Sequence, residues 1–334
     1  METEEKIYTI EDIANELGVS KTTVSRAISG KGRISRHTRE RVLDFIELHD
    51  YRPNVIARGL AQSKTYNLAM IMPMDYTGSD APFFKECTNG ICEIASANNY
   101  DILISVMDGQ DLSQIQRIVT NRKVDGIIIS RSVARSEAQR YLLEKKIPFV
   151  VIGRSDLSGV QWVDNDNQES SKELTELMLM KGIKKLALLG GDQRHLVTKC
   201  RLKGFLEAHE AQGTAADKSL LFFDVDNYLK VQKSVEESLE AGADGIICMD
   251  DSIANMVLSC LREKGIHIPS QIKLASFYDS PQLEINTPTV TSLHFNTREL
   301  GKNACLSLLK QLGEDIQQEE YPLNYQVILR ESTK

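Results

Sequence analysis

Long apolar runs are missing from this chain. No stretch approaches the ~20 residues that a membrane-crossing helix needs, and the amino end is acidic, without the apolar segment of a secretion signal. Metal-ligand spacings are missing too: there is no His-x-x-His and no Cys-x-x-Cys. Cys87 and Cys92 stand five apart on a predicted helix, which suits zinc poorly. With Cys200, Cys248, Cys260 and Cys305 they read as reduced thiols, as expected of a cytoplasmic protein. Gly190-Gly191 follows a strand-like run but lacks the Gly-x-Gly-x-x-Gly spacing of a phosphate-cradling loop. No metal and no cofactor are therefore expected. Tryptophan is nearly absent; Trp162 stands alone and is expected to pack at a lobe junction.

Positive charge is short overall, with 40 Lys and Arg against 47 Asp and Glu, a net of -7. The deficit is not uniform. Between Lys21 and Lys64 there are ten basic and four acidic side chains. A phosphate backbone responds to local potential, so an acidic total leaves DNA binding open for this segment.

The same segment has a rhythm of caps and stripes. Thr9 caps a first helix, with Asp12 three residues on. Ile10, Ile13, Ala14 and Leu17 form one apolar stripe, Gly18 ends the helix, and Val19 fills the turn. Ser20 caps a second helix, in which Val24, Ala27 and Ile28 face inward. Lys21, Thr22, Ser25 and Arg26 are left outside near the helix start. A short helix with small polar and basic side chains there is the form that enters a major groove. A third helix starts after Ser35, with Val42, Phe45, Ile46 and His49 on one side. His37 is expected in solvent and His49 at the core edge. Pro53 breaks this helix, and Asn54 caps a weak segment, Val55 to Ala61, in which Gly59 costs about 1 kcal/mol relative to alanine. So short a helix is marginal alone, and a hinge that orders only against DNA or a partner subunit is expected.

Thr9-Ile10-x-Asp12-Ile13-Ala14, Gly18-Val19-Ser20-x-Thr22-Thr23-Val24-Ser25-Arg26 and Tyr51-x-Pro53-Asn54-x-x-Ala57-Arg58-x-Leu60 together resemble the lac-repressor family of bacterial transcription regulators. The resemblance implies that Lys21, Thr22 and Arg26 meet base edges and that Ser20, Thr23 and Ser25 hold phosphates. It implies that Ala57 and Leu60 enter the minor groove, Leu60 as a wedge, and that Asn54 contacts the backbone.

Beyond Lys64 the pattern changes. Apolar runs at 67–73, 102–106, 126–130, 148–153, 185–190, 245–249 and 273–277 alternate with helical stretches. Such runs predict parallel sheets covered on both faces, and the length predicts two lobes. Val124-Asp125-Gly126-Ile127-Ile128-Ile129 is echoed by Ala243-Asp244-Gly245-Ile246-Ile247-Cys248. The expected architecture is a small all-α helix-turn-helix headpiece (1–52), a hinge (53–65) and a two-lobed effector-binding and dimerisation domain (66–334). The lobes are expected to be doubly wound parallel sheets of the periplasmic-binding-protein type, as the family resemblance also implies. Crossings between lobes are expected near Asp164, Leu293 and Pro322.

Ligands of such folds lie at strand ends. Asp250 and Asp251 follow the run 245–249, and Arg154 follows 148–153. Cys200-Arg201-Leu202-Lys203-Gly204-Phe205 resembles the family's Arg-x-x-Gly-aromatic segment, implying that Arg201 forks onto ligand hydroxyls or carboxylates. Asp250 and Asp164 resemble family ligand-site positions. Where many members have Asp-Asp, this chain has Tyr278-Asp279, so a phenol replaces the usual aspartate. Tyr278 and Asp279 complete the expected effector set of Arg154, Asp164, Arg201 and Asp250.

The function so implied is a regulator, most simply a repressor of a carbohydrate-utilisation operon. It binds a pseudo-palindromic operator as a homodimer under the control of a small sugar-like effector. No leucine heptad follows the last strand-like run, 325–330, so a dimer is expected rather than a tetramer. A secreted sugar carrier on the same fold would need a secretion signal. The Asp164/Asp166 and Asp250/Asp251 pairs could serve an enzyme, but adjacent aspartates at strand ends serve binding or structure more simply.

Overall fold

The computed structural model describes residues 8–30, 32–51, 59, 63–74 and 81–334. The expected hinge residues Asn54, Ala57 and Leu60 lie outside the described residues. The chain divides into two compact units, 1–65 and 66–334.

In the first unit, α1 (Ile10–Leu17), α2 (Lys21–Ser29) and α3 (Arg36–Leu48) pack around Ile13, Ala14, Val24, Ala27 and Val42. The starts are fixed by side chains that satisfy otherwise unpaired amides. Thr9 and Asp12 exchange hydrogen bonds as a reciprocal box. Ser20 accepts the amide of Thr23 (3.1 Å) and Ser35 that of Thr38 (3.0 Å). Gly18 takes the left-handed conformation (φ 62°) that lets α1 turn sharply into α2. Tyr8 meets Phe45 edge-on (5.4 Å), and the His49 ring lies 4.3 Å from Phe45, so His49 does sit at the core edge.

In the second unit, the first lobe holds β1 (Asn67–Pro73), α4 (Ala81–Ala97), β2 (Asp101–Met107), α5 (Ser113–Thr120), β3 (Gly126–Ile129), α6 (Glu137–Lys145), β4 (Phe149–Ile152) and β5 (Gln161–Val163). Its sheet runs β2-β1-β3-β4-β5, all parallel. Leu68 to Met72 are buried without alternation, as a strand covered on both faces requires.

The second lobe holds α7 (Asn167–Met180), β6 (Leu186–Leu189), α8 (Leu196–Ala211), β7 (Leu221–Phe222), α9 (Tyr228–Glu240), β8 (Gly245–Cys248), α10 (Asp251–Glu263), β9 (Lys273–Ser276), α11 (Pro281–Ile285) and β10 (Thr291–Phe295). The chain then returns to the first lobe as α12 (Thr297–Gln311), packed on α4, and ends in the second lobe with β11 (Tyr325–Ile328). The second sheet runs β11-β10-β9-β8-β6-β7. One strand departs from the expected parallel pattern: β11 is antiparallel to β10. It re-enters at the sheet edge from the other lobe, where no covering crossover helix dictates its direction.

The crossings fall at Asp164–Asp166, at Asn296 and between α12 and β11. The crossing expected near Leu293 falls three residues on, at Asn296, and Leu293 itself is buried in β10. Trp162 does not pack at a lobe junction. It lies on edge strand β5, 45% exposed, beneath the Arg154 guanidinium.

Candidate functional site

The outward face of α2 is the first candidate. Ser20, Lys21, Thr22, Ser25 and Arg26 are exposed and Thr23 is half-buried. Ser20 and Thr23 are tied together through their hydroxyls (2.8 Å) as well as through the cap. Lys21 pairs with Glu11 (2.8 Å), an acid the sequence pattern did not single out. A pair this exposed holds about 0–1 kcal/mol, so a phosphate or base edge can displace it. A Cβ at Gly32 would sit 3.0 Å from the Arg26 Cδ, so that glycine gives the arginine stem its place. Arg39 and Arg41 on α3 donate to the carbonyls of Gly30 (3.1 Å) and Leu17 (3.2 Å) and so hold the three helices together.

The second candidate is a cavity of about 310 Å³ between the lobes of the second unit. Arg201 lies on α8. Its Nε donates to Asn167 Oδ1 (3.1 Å) and its Nη1 to the Met249 carbonyl. Gly204, one turn along, makes this possible. A Cβ there would lie 2.1 Å from the Gln168 carbonyl, so only glycine lets α8 approach α7 and bring Arg201 to Asn167. Burial pulls the Arg201 guanidinium below its ordinary value, against the opposing pull of Asp250 and Asp164, yet arginine remains charged.

Asp250 caps α10, its carboxylate accepting the amide of Ile253 (2.8 Å). Burial raises its pKa above the ordinary aspartate value, opposed by that amide and by Arg201 and Arg131. Tyr278 follows β9 at the same cavity. Its ring stacks on Phe295 (6.4 Å, 14°) and meets Phe83 edge-on (5.9 Å), and burial raises its phenol. Asp164 lines the cavity as well, accepting from Asn167 Nδ2 (2.9 Å) and Arg154 Nε (3.3 Å).

Two of the six expected effector residues stand elsewhere. Arg154 is not among the lining residues. It bridges Asp164 and Asp166 from behind and covers Trp162. Asp279 turns away from the cavity. It receives both Nη atoms of Arg330 (2.7 and 3.0 Å) and the Ser292 hydroxyl (2.6 Å), with His294 Nδ1 at 3.5 Å. Successive residues after a strand point in opposite directions, so Tyr278 enters the cavity and Asp279 joins the sheet-edge cluster.

Several lining residues were not anticipated. Phe83 and Phe84 come from α4, with Arg131 over the Phe84 ring (5.4 Å). Asp192, His195 and Asp226 come from loops after β6 and β7. The Arg194 side chain holds the Asp192 carboxylate at about 2. The lobes are also stitched together directly. Val133 and His195 form an antiparallel bridge, in which Leu196 N–H donates to Ser132 O (3.2 Å) and Ala134 N–H to Arg194 O (2.8 Å). Among the described residues no His, Cys and carboxylate cluster could hold a metal ion, and no helix is long and apolar enough to cross a membrane.

A family model described as bacterial regulatory proteins, lacI family, matches residues 9–54, and one described as periplasmic binding proteins and sugar binding domain of LacI family matches residues 66–326. The chain is similar to the HTH-type transcriptional regulator MalR of Streptococcus pneumoniae, 31% identical over 92% of this chain and 93% of that protein. It is similar to the HTH-type transcriptional regulator RegA of Clostridium saccharobutylicum, 29% identical over 97% and 98%. Among solved structures it is similar to a complex of the transcriptional regulator CelR with cellobiose, 24% identical with a TM-score of 0.72, covering 97% of this chain and 99% of that one.

Proposed function

The chain belongs to the lacI family of bacterial regulatory proteins, and from that premise we propose that it is a repressor of a carbohydrate-utilisation operon, controlled by a neutral sugar in the cleft between its lobes. It is a regulator and not an enzyme. It acts in the cytoplasm as a homodimer that presents two headpieces to a pseudo-palindromic operator. Residues 1–52 read the DNA, 53–65 are the hinge and 66–334 bind the effector and pair the subunits. On α2, Thr22, Ser25 and Arg26 stand ready in solvent, Lys21 is released from Glu11 on contact, and Ser20 and Thr23 meet phosphates. Asn54, Ala57 and Leu60 serve the hinge contacts.

The observation that supports the ligand class is the set of polar groups lining the cleft. Of its five aspartates, Asp164, Asp192 and Asp226 are paired with Arg154, Arg194 and Lys230, which leaves Asp250 and Asp251 facing Arg131 and Arg201. A polyol finds carboxylate acceptors at Asp164 and Asp250, a forked donor at Arg201 and an aromatic wall at Tyr278. The ligand alters DNA affinity only by binding two lobe arrangements unequally.

The test has two readouts. Full-length protein is used to select operators from random duplexes, and its melting is followed against a panel of neutral sugars. A palindrome-like consensus and a rise in melting temperature with at least one sugar are expected, with gel-shift affinity for the consensus changing when that sugar is added. Arg26→Ala should abolish consensus preference and leave the sugar-induced shift intact. Sugar binding that leaves operator affinity untouched would refute the coupling.

A further inference from the structure

Two cavities share a wall between the lobes. The cleft has five aspartates among its lining residues, three of them paired with Arg154, Arg194 and Lys230. A second cavity, of about 520 Å³, lies beside the Val133–His195 bridge, and Thr198 lines both. Gln110 and Arg135 reach it from the first lobe, Arg194 and Lys199 from the second, over an apolar floor of Leu202 and Phe223. No carboxylate is among its lining residues as described. Beside it, Asp156 accepts the Arg135 backbone amide (2.9 Å), and Asp192 is held by Arg194 (2.6 Å). Arg135 and Lys199 have no ion pair among the described residues.

Arg135 is also held in place at a cost. Its backbone is left-handed (φ 54°), which a non-glycine residue keeps only where its surroundings impose it. Here the Asp156 carboxylate grips its amide, and the preceding residue, Ala134, is tied to Arg194 O across the bridge.

We propose that this outer cavity binds a small phosphomonoester, Arg135 and Lys199 holding the phosphoryl group and Leu202 and Phe223 facing its body. A guanidinium and an ammonium meet phosphate oxygens with charge-assisted hydrogen bonds. The lining of the outer cavity sets no carboxylate against them, whereas the lining of the cleft does. Ala134 and Arg194, partners in one of the two bridge hydrogen bonds, both line the outer cavity. An occupant therefore touches both lobes while the bridge is closed, and stabilises that closed form by mass action. This site goes beyond the regulator reading and does not depend on it.

Phenyl phosphate, inorganic phosphate and phenol are titrated calorimetrically into the full chain at constant ionic strength. Phenyl phosphate should bind one per chain, inorganic phosphate more weakly and phenol not measurably. The double variant Arg135→Gln, Lys199→Gln should lose about tenfold or more of the phenyl phosphate affinity, one decade per ~1.4 kcal/mol. Asp250→Asn, which removes a cleft charge, should leave that affinity within about twofold. Amide exchange at Ala134 and Leu196 should slow on binding. An undiminished affinity in the double variant, or no phosphate binding at all, overturns the site. Tighter binding in Asp250→Asn would place the anion in the cleft instead, and unchanged exchange at the bridge would overturn the coupling to closure. Inorganic phosphate binding as tightly as phenyl phosphate would overturn the role of the apolar floor.

Discussion

Asp250 shows how one side chain carries two duties that pull apart. It caps α10 and it faces the cleft, and burial keeps its pKa above the ordinary aspartate value. A raised carboxyl pKa means that the folded state holds its proton more tightly than the unfolded chain does. Charge at this position therefore costs stability at neutral pH, and that cost disappears as pH falls through the raised value. Ligand binding goes the other way, because the protonated group is a poorer acceptor for sugar hydroxyls. Asn caps a helix about as well as Asp. Asp250→Asn is thus expected to melt at the same temperature or higher while binding sugar more weakly. Its binding should also lack the acid-side decline expected of the native protein above the ordinary aspartate value. Paired melting curves and titrations across pH would check both halves. Asp279, its neighbour in the sequence expectation, has a different task. Arg330, 10% exposed, binds it within a nearly closed cluster that also engages Glu284, Ser292 and the Val290 carbonyl. That arginine lies 51 residues along the chain, so no local pattern pairs the two.

The α7–α8 pair shows what a glycine decides for an element. Gly204 sits where the helices approach so closely that a methyl group would reach 2.1 Å from the Gln168 carbonyl. Gly90 and Gly301 do the same for α4 and α12, with hypothetical methyl contacts of 2.0 and 2.1 Å to backbone oxygens. Backbone atoms cannot step aside as a flexible side chain can. Gly204→Ala is expected to cost about 1–3 kcal/mol, the range for an overpacked site, by chemical denaturation. It should also weaken cleft binding beyond what stability explains, because Arg201 would draw away from Asn167. A loss of stability with unchanged ligand affinity would show that the two helices do not set the arginine.

For the two-lobed unit the bridge between Ser132–Ala134 and Arg194–Leu196 is the feature to perturb. Leu196 is the first residue of α8, a position where proline fits, and His195 before it already has the extended backbone proline requires (φ -72°, ψ 129°). Leu196→Pro therefore removes the bond to Ser132 O without breaking the helix. The expected outcome is unchanged helical content, a larger radius of gyration by X-ray scattering and weaker sugar binding. A variant that scatters like the native chain would show that the remaining Ala134–Arg194 bond closes the lobes by itself.

The sequence determined the parts whose causes are local. Thr9, Gly18, Ser20 and Ser35 set the headpiece turns through bonds spanning three or four residues, and unbroken apolar runs announced the buried strands. Three strands were missed. Gln161–Val163 is a short edge strand, Thr291–Phe295 is buried yet carries threonine, serine and histidine, and Leu221–Phe222 is a two-residue strand inside a short apolar run. Tertiary structure alone decided which residues share a cavity. Tyr278 and Asp279 are adjacent in the chain and face different surroundings, while Arg201, Asn167 and Met249 meet from three elements. Adjacency along a chain fixes short-range hydrogen bonds and periodicity. Adjacency across lobes depends on how closely whole helices and sheets approach, and that is set by packing over the entire molecule.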